Sequence, residues 1–288
     1  MLALLGYQID QELYASHHSL VYRARRVADS HPVILKVANQ EYPSPERVAW
    51  FRREFELMRS LALPNVVKAH SLTYEQQHWI MVLEDGGDSL NRLRLAGTLP
   101  LDELLRLAIR ITEAVGELHQ QYVIHKDLNP TNIVYNPSTG EVKLIDFGIS
   151  TALSRETASF RNPNVLEGTL AYISPEQTGR MNRDIDYRTD FYSLGVTLYE
   201  LLTGRLPFVS ADALELVHSH IAKLPPPPHH IVPSIPPILS AIVLKLLAKN
   251  AEDRYQSAYG IVADLRHCLA QWEETGEVQP FALAQSDR

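Results

Sequence analysis

The chain has one cysteine, Cys268, among its 288 residues. That excludes an internal disulfide framework and a cysteine-based zinc site, and it fits a reducing compartment. Cys268 itself reads as a buried helix residue. Long apolar runs are missing too. The most apolar stretch, Phe191 to Leu202, is interrupted by Tyr192 and Glu200, and it falls short of the roughly 18 residues of a membrane span. It reads as a core helix. The opening MLALLGYQID is apolar but has neither the basic flank nor the length of a signal peptide. Positive charge is not in excess: 27 Lys and Arg against 34 Asp and Glu leave a formal net charge of -7. A nucleic-acid grip, which gathers cations on one face, is not expected. The expectation is a cytoplasmic protein with no membrane span.

What is present suits a large core, since 45% of the residues are hydrophobic. From Tyr7 to about Lys36 apolar and polar residues alternate, as in short strands joined by hairpins. A helix is expected over Pro45 to Leu61, with Trp50, Phe51, Phe55, Leu57 and Met58 at helical spacing. Strand-like runs at Val66 to Leu72 and His78 to Leu83 precede a break at Gly86 and Gly87. Beyond it the period becomes helical over Leu101 to Gln121, Thr189 to Thr203, Ala211 to Ala222, Pro237 to Lys249 and Ser257 to Trp272. Short strands are expected near Asn132 to Tyr135 and Val142 to Ile145. The fold class is therefore α+β: a small, mainly antiparallel β amino-terminal lobe with one helix (residues 7–85) and a larger, mainly α lobe (86–272). Residues 273–288 read as a polar tail or linker, and the proline run at 225–228 as a rigid connection. The histidines, including His17-His18 and His229-His230, read as surface or loop residues without metal-site spacing.

Three segments carry the chemistry: HKDLNPTNIV from His125, LIDFGIS from Leu144 and AYISPEQ from Ala171. Each alone is weak, since an Asp beside an Asn is usually a turn or cap residue, and a Lys and a Glu are most often a solvated pair. In this order, with a strand-borne lysine upstream and a helix-borne glutamate after it, they match the signature set of the protein kinases. The resemblance covers about Tyr7 to Trp272 and implies the two-lobed fold of the eukaryotic-type (Hanks-type) serine/threonine kinases, using ATP and Mg²⁺ on a protein substrate with a Ser or Thr acceptor.

It also implies roles. Asp127 would orient the attacking hydroxyl and accept its proton, with Asn132 and Asp146 as the metal ligands. Lys36 would hold the α and β phosphates, oriented by Glu54; Glu56 lies on the same helix, and a slip of two would exchange them. Leu13, Val21, Ile34 and Val134 would sandwich adenine, with Leu83 as gatekeeper and Glu84, Asp85 and Gly86 as hinge. Thr169 resembles the threonine that contacts the catalytic aspartate and selects a hydroxyl-bearing acceptor. Glu176 and Arg254 resemble the pair beneath the activation segment, and Asp190 the brace of the catalytic loop. These last three favour a protein over a small-molecule substrate.

The sequence also departs from the pattern. Tyr14, Ser16 and Ser19 stand where the glycine-rich loop has glycines, so a weaker phosphate cover is expected, with Ser16 and Ser19 as hydrogen-bond donors. Lys126 replaces the arginine before Asp127, Ile34 replaces an alanine and narrows the adenine slot, and Asn129 replaces a lysine that contacts the γ-phosphate. Such departures, with IHKDLNPTNIV and YISPEQTGRMNRDIDYRTDFYSLGVTLYELLTGRLPF, resemble the amino-terminal kinase domain of large bacterial signalling proteins in which NTPase-like, GAF and histidine kinase modules follow. Further domains of a longer chain are thus expected partners. Ser150, Thr151, Ser154, Thr157 and Ser159 are candidate autophosphorylation sites. Two readings remain open: an active kinase, which the complete set of Lys36, Glu54, Asp127, Asn132 and Asp146 favours, and a pseudokinase acting as an ATP-binding scaffold, which the glycine-free loop and Asn129 favour.

Overall fold

The computed structural model describes residues 6–16, 19–38, 44–148, 150–152, 169–180 and 183–287. Ser154, Thr157 and Ser159 lie outside these, as do His17 and His18. The chain divides into two compact units, one of residues up to Gly87 with Lys143–Gly148, the other of Asp88–Val142 and the residues from Ile149 onward.

In the first unit, β1 (Tyr7–Ala15), β2 (Ser19–Arg26) and β3 (Pro32–Ala38) precede α1 (Pro45–Ser60), followed by β4 (Ala69–Glu75) and β5 (His78–Glu84). The strands form an antiparallel sheet in the order β1-β2-β3-β5-β4. Register sorts its two faces. Val21 lies opposite Lys36, Lys36 opposite Met81 and Ile34 opposite Leu83, and cross-strand partners share a face. The other face is apolar: Tyr22, Ala24, Val33, Leu35, Val37, Ile80 and Val82 form one buried cluster, with Tyr7, Ile9 and Leu20 against it. A slip of one residue would put Lys36 into that cluster, so burial of the apolar face fixes where the lysine emerges. Helix α1 begins on the Ser44 side chain, which accepts from Arg47 N, with Pro45 in its first turn and Arg59 in its last. It packs on β4, burying Glu54 and Met58, while Glu56 is exposed.

In the second unit β6 (Asp88–Ser89) and the short α2 (Leu90–Leu93) lead to α3 (Leu101–Gln120), β7 (Val123–Ile124) and β8 (Ile133–Asn136). Along β9 (Glu141–Leu144) the chain passes back to the first unit, and it returns through β10 (Thr151–Ala152), which pairs with β7. The helices α4 (Arg188–Thr203), α5 (Ala213–Ala222), α6 (Pro228–Ile231), α7 (Pro237–Leu246) and α8 (Ala258–Thr275) complete the unit. Helix α4 is buried nearly all round, as expected of a core helix. It packs against α3 and α7. At Gly195 a Cβ would stand 2.8 Å from that of Leu246, so the approach of α4 to α7 needs glycine. The proline run connects α5 to α6, and Tyr199 Oη donates to the Pro226 carbonyl at 3.0 Å. Cys268 is buried in α8, where burial, and next the Asp264 charge, push its thiol up to about 12.

Two expectations change here. Among the histidines, read as surface or loop residues, His125 lies in the loop between β7 and β8 though fully buried, whereas His220 is buried on α5 and His119, on α3, is paired with a buried carboxylate, so the reading fails for His119 and His220. Composition hid this, because a histidine with a partner looks in sequence like one without. The residues read as a polar tail contain the last turn of α8 and a segment folded back on its first turn. Asp287 accepts from Gln256 N (2.6 Å), Ser257 N (2.8 Å) and Ser257 Oγ (2.7 Å), and Ala284 N donates to Asp264 Oδ2 at 2.8 Å. Gly260 makes room: a Cβ there would lie 2.6 Å from Asp287 Oδ1. Among the described residues no helix is long and apolar enough to cross a membrane.

Candidate active site

In the first unit Lys36 projects from β3 between two carboxylates. Its Nζ lies 2.7 Å and 2.9 Å from the Glu54 oxygens and 3.1 Å from Asp146 Oδ1. Of the two glutamates on α1, therefore, it is Glu54 that meets the lysine. Burial works against the Lys36 ammonium, but Asp146 and Glu54 outweigh it and hold its pKa above the ordinary value. Burial pushes the Glu54 carboxyl up, to about 7, with Lys36 opposing and Asp146 adding to the rise. Asp146 has a backbone φ of +62°, a conformation few residues other than glycine adopt, and its Oδ1 also accepts from Gly148 N at 3.4 Å. This carboxylate is half exposed.

Between β1 and β2, Ser16 and Ser19 bond one another. Ser16 N donates to Ser19 O at 2.9 Å, Ser16 Oγ to the same oxygen at 3.1 Å, and Ser19 N to Ser16 Oγ at 3.0 Å. The Ser16 hydroxyl and the two backbone amides are thus engaged between these two residues. Leu13 falls at a register shift of β1 and is half buried, as are Val21 and Ile34. Leu83 is buried on β5 opposite Ile34. Glu84 binds Lys143 Nζ at 2.6 Å and Lys68 N at 3.1 Å; burial alone would raise its pKa, but these partners hold it below the usual value. Asp85 is held by Arg23 at 2.8 Å, and Gly86 follows in irregular backbone.

In the second unit the loop between β7 and β8 gathers donors on Asp127. Its Oδ1 accepts from Thr169 N (2.8 Å) and Asn129 Nδ2 (3.2 Å), and its Oδ2 from Asn132 Nδ2 (3.0 Å). The same two amides also bond the Asp127 carbonyl, at 2.9 and 2.8 Å. Asn129, which replaces a cation, is thus a brace: it further donates to Thr169 Oγ1 at 3.4 Å, and its Oδ1 accepts from Thr131 N at 2.9 Å. Thr169 meets Asp127 through its backbone, while its hydroxyl meets Asn129. Asn132 spends its amide nitrogen on Asp127, which leaves its oxygen as the side chain's ligand atom. Val134 is buried on β8, opposite Ser89.

Beneath this loop lies Asp190, fully buried at the start of α4. It accepts from His125 N (2.9 Å), Lys126 N (2.8 Å) and His119 Nε2 (2.8 Å). Burial alone would raise its pKa, but the His119 bond and the His125 amide hold it below the usual value. Lys126 has a φ of +69°, and this strained backbone is fixed from both sides: Asp190 takes its amide, and Gln177 Nε2 donates to its carbonyl at 2.7 Å. Arg254, fully buried, makes a bidentate pair with Glu176 at 2.6 and 2.8 Å, and Thr189 Oγ1 adds a bond to the same carboxylate at 2.8 Å. Sequence reasoning missed His119, Gln177 and the bracing role of Asn129. Their partners lie across loops or, for His119, 71 positions away, and no periodicity announces such a bond.

The model of the protein kinase domain family matches residues 7–264 of the chain. Among curated proteins, it is similar to the serine/threonine-protein kinase PrkC of Bacillus subtilis, at 33% identity over 265 residues, covering 90% of this chain and 40% of that protein. The serine/threonine-protein kinase PknB of Mycobacterium leprae is 32% identical over 266 residues, covering 90% of this chain and 42% of its own length. PknL of Mycobacterium tuberculosis, also a serine/threonine-protein kinase, is 31% identical over 262 residues, covering 90% and 64%. The chain thus spans about two fifths of the length of the first two relatives.

Proposed function

Since the chain belongs to the protein kinase domain family, in company with serine/threonine kinases, we propose that it transfers the γ-phosphoryl group of ATP to a serine or threonine hydroxyl of a protein. The observation that carries this reading is the state of Asp127, whose two oxygens are held by Thr169 N, Asn129 and Asn132. Such a carboxylate is oriented before any acceptor arrives, which is what in-line transfer to a hydroxyl requires.

In this reading the acceptor hydroxyl donates to Asp127, its oxygen attacks the γ-phosphorus, the bond to the β-phosphate oxygen breaks, and the proton passes to the carboxylate as ADP leaves. Lys36, anchored by Glu54, faces the α and β phosphates. The donor set suits Mg²⁺, because Asp146 and Asn132 each offer oxygen, the ligand this cation prefers. When bound there, Mg²⁺ neutralises charge on the phosphate oxygens. Leu13, Val21, Ile34 and Leu83 of the first unit, and Val134 of the second, would offer apolar surface to adenine, and the backbone of Glu84 and Gly86 its hydrogen-bonding edge. Thr169 supports selection of a hydroxyl-bearing acceptor, and Ser16 and Ser19 cover the phosphates once their turn opens. A bacterial signalling role, a cytoplasmic location and attachment to further domains complete the proposal.

A second reading, an ATP-binding scaffold without transfer, is favoured by the closed Ser16–Ser19 turn. Incubation with labelled Mg·ATP and a basic acceptor protein, beside Asp127→Asn, separates the two. Label on serine and threonine that vanishes in the variant supports transfer. ATP binding by thermal shift with no label overturns it in favour of the scaffold.

A further inference from the structure

His220, on α5, is fully buried and takes no part in the chemistry described above. Its ring stands edge-on to Phe208, with centroids 5.2 Å apart, and to Tyr192 at 5.8 Å. Its Nδ1 lies 3.0 Å from Tyr192 Oη. Lys249 Nζ, over the Phe208 ring at 4.7 Å, approaches the same hydroxyl at 3.5 Å and bonds the His220 carbonyl at 2.8 Å. An ammonium can only donate, so the Tyr192 hydroxyl accepts from Lys249 and passes its own proton toward Nδ1. The ring proton then belongs on Nε2. Yet Nε2 is buried with no hydrogen-bond partner, and a buried donor is seldom left so without a use.

The backbone of Leu170 and Ala171 acts on the ring as an acceptor, yet Nε2 makes no hydrogen bond of good geometry to it. These residues follow Thr169, whose amide holds Asp127 Oδ1, so in the kinase reading they stand beside the carboxylate that an acceptor hydroxyl must reach. The segment is tied further on as well, where Ser193 Oγ donates to the Tyr172 carbonyl at 2.9 Å. Between these two ties, Nε2–H is a donor waiting for a carbonyl. We propose that His220 is a positioning residue for protein acceptors: its Nε2–H closes a hydrogen bond to the Leu170–Ala171 backbone and so sets the surface on which the acceptor chain lies. The inference rests on the kinase reading for its purpose but not for its geometry. Burial, then the Lys249 charge, push the His220 pKa down to about 4 against the pull of the two backbone groups, which keeps the ring neutral at working pH.

Three variants test it. Glutamine places an N–H near the position of Nε2, asparagine imitates only Nδ1, and phenylalanine keeps the ring without either nitrogen. For His220→Phe and His220→Asn the expected result is a rise of about three- to tenfold in KM for a protein acceptor, the size of one lost neutral hydrogen bond, with KM for ATP unchanged; His220→Gln restores the acceptor KM. An equal acceptor KM in all four proteins, or equal rises in both KM values, overturns the proposal. Hydrogen exchange in the ATP-free protein gives an answer that needs no transfer. Amides of residues 169–174 should exchange faster in His220→Phe than in the wild type and His220→Gln, while those of α4 do not change. Uniform exchange across the variants overturns the proposal even in an active kinase, and a faster segment in an inactive protein supports the geometry while overturning the kinase reading.

Discussion

Asp127 depends on two side-chain amides beside the Thr169 N–H. Removing Asn129 deletes bonds to its carboxylate, to its carbonyl and to Thr169, and a bond to a charged group contributes about 1.5–3 kcal/mol. For Asn129→Ala we expect kcat to fall about ten- to a hundredfold with KM for ATP nearly constant, measured by steady-state kinetics. By residue type alone Asn129 stands for a lost cation, because a residue type names the charge a side chain carries and not the bonds it makes. His220 gives a second expectation. Its folded pKa is lowered to about 4 from an ordinary 6.5, so between those values the unfolded chain binds a proton that the folded chain does not. Its contribution to stability is complete above pH 6.5 and is lost as pH falls toward 4, by at most about 3 kcal/mol. Denaturant unfolding across that window should show a shallower loss in His220→Gln than in the wild type.

Helix α1 was legible as an element, from its periodicity and its Ser44-Pro45 start, but which glutamate it turned inward was not. Glu54 and Glu56 stand about 200° apart on a helix of 3.6 residues per turn, so only packing against β4 chooses between them. Glu54→Gln removes the charge that fixes Lys36. We expect kcat/KM for ATP to drop about a hundredfold, a loss near 2.7 kcal/mol, while Glu56→Gln, on the exposed side, changes it little. The β1–β2 turn shows the converse limit. Missing glycines were plain in the sequence, and the ring of bonds between Ser16 and Ser19 was not, since it depends on how the backbone turns.

Across the whole molecule, the five-stranded sheet and the mainly helical second unit follow from the change of hydrophobic period at Gly86 and Gly87, whereas the long-range bonds that hold the loops do not. The Glu176–Arg254 pair spans 78 positions and is almost without solvent. Breaking it leaves a buried charge alone, so Arg254→Met should destabilise the protein by about 3–5 kcal/mol, and Glu176→Leu combined with Arg254→Met by less; denaturant midpoints of the single and double variants check this. Asp287, finally, ends the described chain at the amides of Gln256 and Ser257. Helix α8 has 18 residues, about 27 Å at 1.5 Å each, and the returning segment undoes that travel. A fluorophore carried at the exposed Ser286 of this segment therefore sits at the root of the helix and not at its tip, and energy-transfer distances taken from it measure from that root.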